Sequence, residues 1–140
     1  MNCKTKVHFI GVCHDTNSYE WFHDLVHSIE LEDTNGLFDF RFHITGSLTL
    51  KQVANICAIE ADYEAGALSS TDPVTLLNTP THYGRPMWQK IFHEITRGNE
   101  HRRFGVFYCG PDILGNAIKR ICFLKSNNSV QFDFFHEKFG

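Results

Sequence analysis

Short segments with the period of a strand alternate along this chain with longer segments in which apolar residues recur every three or four positions. Residues Val7 to Val12 are rich in β-branched and aromatic side chains, which predicts a buried strand. Ser18 is placed to cap a following helix, in which Trp21, Phe22, Leu25, Val26 and Ile29 share one side. From Phe38 to Thr45 apolar and polar residues alternate, which predicts a strand with one apolar face.

The second part of the chain continues this alternation. The predicted elements are a helix from Thr49 to about Glu64, a long loop from Ala65 to Thr81, a helix with Pro86 in its first turn, a buried run from Val106 to Cys109, a helix from Asp112 to about Phe123, and a strand from Val130 to Phe135. Strands separated by helices predict an α/β fold: a doubly wound, mainly parallel sheet with helices on both faces.

The composition excludes several classes of protein. The 140 residues, 42% hydrophobic and 21% charged, suit one compact domain, and the formal net charge of -3 argues against a nucleic-acid partner. No stretch approaches the roughly 18 consecutive apolar residues that a membrane helix needs. The five cysteines form no C-x-x-C pair, which favours reduced thiols, and the nine histidines show no zinc-site spacing, so we expect no metal.

Ligands of parallel α/β sheets bind beyond the carboxyl ends of the strands. Three segments that follow predicted strands are therefore expected to line one crevice: Cys13-His14-Asp15, Thr45-Gly46 and Cys109-Gly110-Pro111.

Cys109 precedes a predicted helix, so its thiol is expected near the positive end of the helix dipole. A phosphatase-type loop would need an arginine six positions later, where the chain has Gly115. A Cys-His hydrolase and a buried, inert cysteine both remain open at this point.

Several further motifs carry a resemblance. The segments "THYGRPMW" (81–88), "GVFYCGP" (105–111) and the ending "FDFFHEKFG", with "HFIGVCHDTNSYEWFHDL" and "HITG" upstream, resemble the nicotinamide-dinucleotide-binding domain of the NADPH oxidase family, within the ferredoxin-reductase-like flavoenzymes. The similarity runs from about Lys6 to Phe139 and preserves motif order and spacing.

The resemblance implies a site for NADPH, which passes hydride to FAD, from which electrons cross a membrane through two haems and reduce oxygen to superoxide. It implies a place on the cytosolic side of a membrane within a longer protein, although the segment alone should be soluble. Its partners would be the flavin-binding and transmembrane haem domains of that chain, with cytosolic regulators as further candidates. Cys109, Gly110 and Pro111 would lie beside the nicotinamide, where Cys109 positions the ring and attacks nothing.

The resemblance also assigns residues to the two ends of the cofactor. Arg85, within the motif that holds Thr81, Gly84 and Pro86, would bind the 2′-phosphate that distinguishes NADPH from NADH. The family has Cys-Arg-Asp where this chain has Cys13-His14-Asp15, so NADPH binding is expected to be weaker and more pH-dependent, or less selective, because histidine is charged only when protonated. Phe139 would stack near the flavin, with Glu137 two positions before it; Lys138 replaces the usual Asn or His, and Gly140 extends the chain.

Some family features are missing from the sequence. It has no Gly-rich pyrophosphate loop, flavin-barrel motif or haem-bearing helix, so residues 1–140 are expected to be a partial NADPH-binding domain that lacks the first β-α unit and is inactive alone. Two functions stay open: the C-terminal part of a membrane oxidase, or a free-standing degenerate module that binds a nucleotide or a protein without redox activity.

Overall fold

The computed structural model describes residues 5–15, 20–46, 77, 79, 81–98 and 102–138. In chain order, these residues form β1 (Val7–Cys13), α1 (Glu20–Glu32), β2 (Phe38–Ile44), β3 (Thr81–Tyr83), α2 (Trp88–Thr96), β4 (Arg103–Cys109), α3 (Asp112–Lys125) and β5 (Gln131–Glu137). All the pairings between these strands are parallel, which confirms the predicted α/β class. None of the helices in the described ranges is long and apolar enough to cross a membrane.

The chain divides into two compact units, Met1–Pro86 and Met87–Gly140. The first unit holds a sheet with the order β1-β2-β3. Its core is formed by Val26 of α1, Phe42 and Ile44 of β2, and Leu77, with Cys13 and Phe40 packed against them. Phe42 and Ile44 belong to the apolar face that the alternation of β2 predicts, and they are 0% and 1% exposed.

The turn between α1 and β2 is organised by one carboxylate. The N–H groups of Leu37 and Phe38 each donate to an oxygen of Asp33, at 2.9 Å. Both hydrogen bonds lower the pKa of Asp33, and the one from the Phe38 N–H has the larger effect. Gly36, with a φ of +63°, completes the turn where the sequence Thr-Asn-Gly predicts the end of the helix.

The second unit holds the two-stranded sheet β4-β5 with α2 and α3. Its buried core comprises Phe92, Ile118, Cys122, Val130 and Phe132. The ring of Phe132 lies 5.1 Å from that of Phe92 and 5.1 Å from that of Phe104, so one aromatic side chain joins α2 to both strands.

Several sequence predictions differ from the structure. β1 and β4 are not buried runs: Phe9 is 46% exposed and Phe107 is 75% exposed. The reason is that side chains alternate between two faces of a strand, and α3 packs on only one face of the β4-β5 sheet. Leu25, expected on the apolar side of α1, is 61% exposed.

The boundaries near residue 81 also differ. Thr81 starts β3, which the sequence assigns to a loop, because three residues are too few for a strand period to be recognised. The helix predicted around Pro86 begins at Trp88. The predicted cap Ser18, the predicted helix 49–64 and most of the predicted loop 65–81 lie outside the described residues.

Candidate functional site

The carboxyl ends of β1, β2 and β3 lie side by side. Their register aligns Cys13 with Ile44 and Ile44 with Tyr83, so the three following connections begin at one edge of the sheet. Hydrogen bonds join these connections: the Thr45 N–H donates to the Cys13 carbonyl at 2.9 Å, and the Gly84 N–H donates to the Ile44 carbonyl at 2.7 Å. We call this the first edge.

Two glycines give the first edge its tight backbone. The Gly46 N–H donates to the His14 carbonyl at 2.7 Å, and a Cβ at residue 46 would overlap that carbonyl oxygen. Gly84 has a φ of +97°, a conformation that side-chain-bearing residues rarely adopt. The site residues that the sequence places after β1 and β2 are therefore brought together here.

Exposed side chains of both charges lie at the first edge. Arg85, directly after Gly84, is exposed, as are His14 and Asp15. Thr81 differs from its neighbours in the motif, because it is 9% exposed and pairs with Phe42 inside the sheet. Thr81 therefore lies at the start of β3, away from the edge at which Gly84 and Arg85 follow the strand.

A pair of histidines lies just inside the first edge. The rings of His43 and His82 stack with centroids 4.9 Å apart, and His43 is 8% exposed. Burial is the main cause that lowers the pKa of His43. The positive charges of His82 and Arg41 lower it further. His43 is therefore held in its neutral form next to the connection that carries Arg85.

The second edge is formed by the ends of β4 and β5. Cys109 pairs in register with Glu137, and both side chains are exposed. Gly110 has a φ of +154°, and Pro111 is the N-cap residue of α3. The prediction of a buried Cys109 is therefore wrong, because the residue is exposed.

Lys138 follows β5 and forms an ion pair with the start of α3. Its Nζ lies 3.3 Å from the Oδ1 of Asp112. Asp112 is in the first turn of α3, where a carboxylate is favoured by the helix dipole. Phe139, which the resemblance places near a flavin, lies outside the described residues.

Three residues that shape the two edges are not predicted as site residues from the sequence: His43 at the first edge, and Tyr108 and His136 at the second. Tyr108 and His136 are directly opposite each other in the β4-β5 register, with ring centroids 5.1 Å apart. The two-residue period of each strand places them on the face that α3 covers, but only the pairing register shows that they meet.

The two edges carry different chemical groups. The second edge presents the exposed thiol of Cys109, and the first presents the guanidinium of Arg85, a group that suits a phosphate. Pro111 provides no side-chain cap for the N–H groups that begin α3. Among the described residues, no three His, Cys, Asp or Glu side chains lie close enough to hold a metal ion.

Parallel strands with glycine-containing connections at their carboxyl ends define the class of nucleotide-binding α/β domains. The model of the ferric reductase NAD binding domain family matches residues 2–123, and the chain belongs to that family.

The similar curated proteins are oxidases. A superoxide-generating NADPH oxidase heavy chain of Dictyostelium discoideum is 34% identical over 113 residues, which cover 81% of this chain and 20% of that protein. NADPH oxidase 1 of Rattus norvegicus is 33% identical over 141 residues, and NADPH oxidase 3 of Homo sapiens is 31% identical over 140; each match covers 96% of this chain and 24% of the relative. The chain thus spans about a fifth to a quarter of the length of these relatives.

Proposed function

We propose that this chain is the NADPH-binding portion of a superoxide-generating NADPH oxidase, and that it orients NADPH for hydride transfer to FAD. In the longer protein, electrons would then pass through haems to oxygen. The family match and the names of the relatives support this proposal. The flavin-binding and haem domains would belong to the same longer chain, at the cytosolic side of a membrane, and the segment 1–140 alone would be inactive.

The second edge carries the proposal. Bound NADPH would supply the hydride from its nicotinamide ring. The exposed Cys109 would contact that ring, and Gly110 would give the turn its positive φ of +154°, which residues with a side chain rarely adopt. Glu137, beside Cys109 in the register, would lie next to the same end of the cofactor.

The first edge would bind the adenosine end. Arg85 is exposed after the left-handed Gly84, and its planar guanidinium could form two hydrogen bonds with a 2′-phosphate. Cys13, His14 and Asp15 would line the same end together with Thr45 and Gly46. The contact between Arg85 and the 2′-phosphate would distinguish NADPH from NADH, since NADH lacks that phosphate.

One observation favours the second candidate function, a free-standing nucleotide- or protein-binding module without redox activity. His14 stands where the resembling family has an arginine, so the first edge carries less fixed positive charge than an oxidase site would. In this alternative the two edges would bind a ligand without passing electrons.

The experiment that separates the two functions begins with the native protein. An antibody raised against residues 102–138 is used to probe membrane and soluble fractions of the native cells. The captured protein is then assayed for NADPH-dependent reduction of cytochrome c that superoxide dismutase suppresses, with NADH as the comparison.

We expect a membrane band several times larger than 16.1 kDa that produces superoxide from NADPH. A soluble band near 16.1 kDa without this activity would reject the oxidase and favour the binding module.

A further inference from the structure

Two side chains lie beneath the Cys109-Gly110-Pro111 turn and contact its backbone. The Tyr108 hydroxyl donates to the Pro111 carbonyl at 2.9 Å. The Nε2 of His136 lies 3.4 Å from the Gly110 carbonyl, to which it donates when that nitrogen carries the proton. Two successive carbonyl groups of the turn are thus each held by a ring, one from β4 and one from β5.

Glycines make room for both rings. A Cβ at Gly115 would lie 2.9 Å from the Cε1 of Tyr108 and 3.1 Å from the Cε1 of His136. A Cβ at Gly110 would lie 2.6 Å from the Tyr108 hydroxyl. Gly115 is buried in the first turns of α3, so this contact fixes how closely the helix approaches the two rings.

Burial acts on Tyr108, and charged side chains lie next to both rings. Burial, then the neighbouring Cys109 and Asp112, raises the pKa of Tyr108, so its hydroxyl remains a donor. The Oδ1 of Asp112 lies 3.8 Å from the Nε2 of His136 and 3.3 Å from the Nζ of Lys138. The start of α3 is therefore linked to β5 by side chains as well as by packing.

We propose that Tyr108 and His136 are positioning residues: by holding the carbonyl groups of Pro111 and Gly110, they set the orientation of the turn against which the nicotinamide ring is placed. They act through the turn and contact no cofactor themselves. This inference rests on the proposed function, because it assigns the turn to the nicotinamide. It adds residues that the motif Cys-Gly-Pro does not include.

The test compares variants of the native full-length protein that carries this chain. Tyr108→Phe removes the hydroxyl and keeps the ring, while Gly115→Ala pushes against both rings. His136→Phe removes the ring N–H that donates to the Gly110 carbonyl, whereas His136→Gln retains a side-chain N–H donor. The control is Arg103→Gln, which removes the two hydrogen bonds that the Arg103 guanidinium donates to Asp133 on the same sheet. Arg103 lies six residues before Cys109, about 20 Å away at roughly 3.3 Å per residue.

Two measurements are made on each variant. Hydrogen-deuterium exchange without nucleotide follows the backbone N–H groups of Gly110 and of residues 112–115, including the Gly115 N–H that donates to the Pro111 carbonyl at 3.1 Å. Stopped-flow absorbance gives the rate of flavin reduction by NADPH, and a separate titration gives the dissociation constant of NADPH.

Loss of one ordinary hydrogen bond predicts an effect of about three- to tenfold. Tyr108→Phe and His136→Phe should each raise the exchange of residues 110–115 and lower the rate of flavin reduction by about that factor. Gly115→Ala, which displaces both rings, should change both quantities in the same direction. The dissociation constant of NADPH should change less than about twofold, since the turn is misoriented while the phosphate contacts remain. His136→Gln should stay close to the unmodified protein, as should Arg103→Gln.

Three results would overturn the inference. If exchange and flavin reduction of Tyr108→Phe equal those of Arg103→Gln, the turn does not depend on Tyr108, while the proposed function stands. If exchange rises throughout both units, Tyr108 is a general stabilising residue. If the unmodified protein neither binds NADPH nor reduces flavin, the proposed function fails and this inference fails with it.

Discussion

Arg85 is the residue on which the preference for NADPH over NADH is expected to depend. A charge-assisted hydrogen bond contributes about 1.5–3 kcal/mol, and each 1.4 kcal/mol changes affinity about tenfold. Replacing Arg85 with alanine in the full-length protein should therefore weaken NADPH binding by about 10- to 100-fold and leave NADH binding nearly unchanged. Titration of both nucleotides measures the effect.

Two further variants sharpen this prediction. Arg97→Ala removes an exposed arginine at the end of α2 and serves as the control for lost surface charge. His14→Arg should increase the preference for NADPH, because it adds a fixed charge at the first edge. Equal weakening of NADPH and NADH by Arg85→Ala would contradict the role in recognising the 2′-phosphate.

The thiols of Cys109 and Cys122 are expected to differ strongly in reactivity. Cys122 is 2% exposed, and burial raises its pKa to about 11, so it stays a protonated thiol near neutral pH. Cys109 is exposed. Brief treatment with iodoacetamide at pH 8, followed by peptide mass spectrometry, should label Cys109 and spare Cys122, and urea should abolish the difference. Equal labelling without urea would show that the core around Cys122 opens readily.

At the scale of elements, the strands could be predicted where one face is apolar and the run is long. The seven residues of β2 show the period clearly, whereas β3 has only three residues and offers no period to detect. The exposure of Phe107 could not be predicted, because it depends on which face α3 covers. The same limit applies to the site: the motif residues 109–111 were found, but the contact between Tyr108 and His136 depends on the pairing of β4 with β5.

The packing of β1 on β2 is expected to depend on a glycine within the strand. A Cβ at Gly11 would lie 2.8 Å from the Cδ1 of Phe42, whose side chain is fully buried in the core of the first unit. Gly11→Ala should therefore lower the free energy of unfolding by about 1–3 kcal/mol, the usual range for an overpacked core. Urea unfolding followed by circular dichroism measures this change.

Gly105 of β4 provides the matched control. The nearest atom to a Cβ there is the Cε2 of Phe107, at 3.1 Å, and this ring is 75% exposed, so a small shift toward solvent relieves the contact. Gly105→Ala should cost much less than Gly11→Ala. If the two substitutions have the same effect, the contact with Phe42 is not the cause.

At the scale of the whole molecule, each unit has its own core and carries one of the two edges. The first edge depends on the core around Phe42 and Ile44, and the second depends on the core around Phe132. A change that destabilises one unit is therefore expected to affect binding at the edge that this unit carries. This matters for pH, because a buried titratable group lies in the first unit next to its edge.

His43 should make the first unit sensitive to acid. Burial and the charge of His82 lower the pKa of His43 below its ordinary value of 6.5. His43 therefore binds a proton more tightly in the unfolded chain than in the folded chain. Its contribution to stability is complete above about pH 6.5 and is lost as the pH falls from there through the folded-state pKa. For one proton, the loss is at most about 1.4 kcal/mol per pH unit.

His43→Leu should flatten the dependence of the free energy of unfolding on pH between about pH 5 and 6.5, where the unmodified chain loses stability. The measurement is urea unfolding at intervals from about pH 5 to 8, a range that spans the ordinary histidine pKa. The variant His93→Gln, which removes an exposed histidine of α2, is the control for the loss of a histidine. If His43→Leu keeps the slope of the unmodified chain, the acid sensitivity comes from other groups, and the stacked pair at the first edge does not resist protonation.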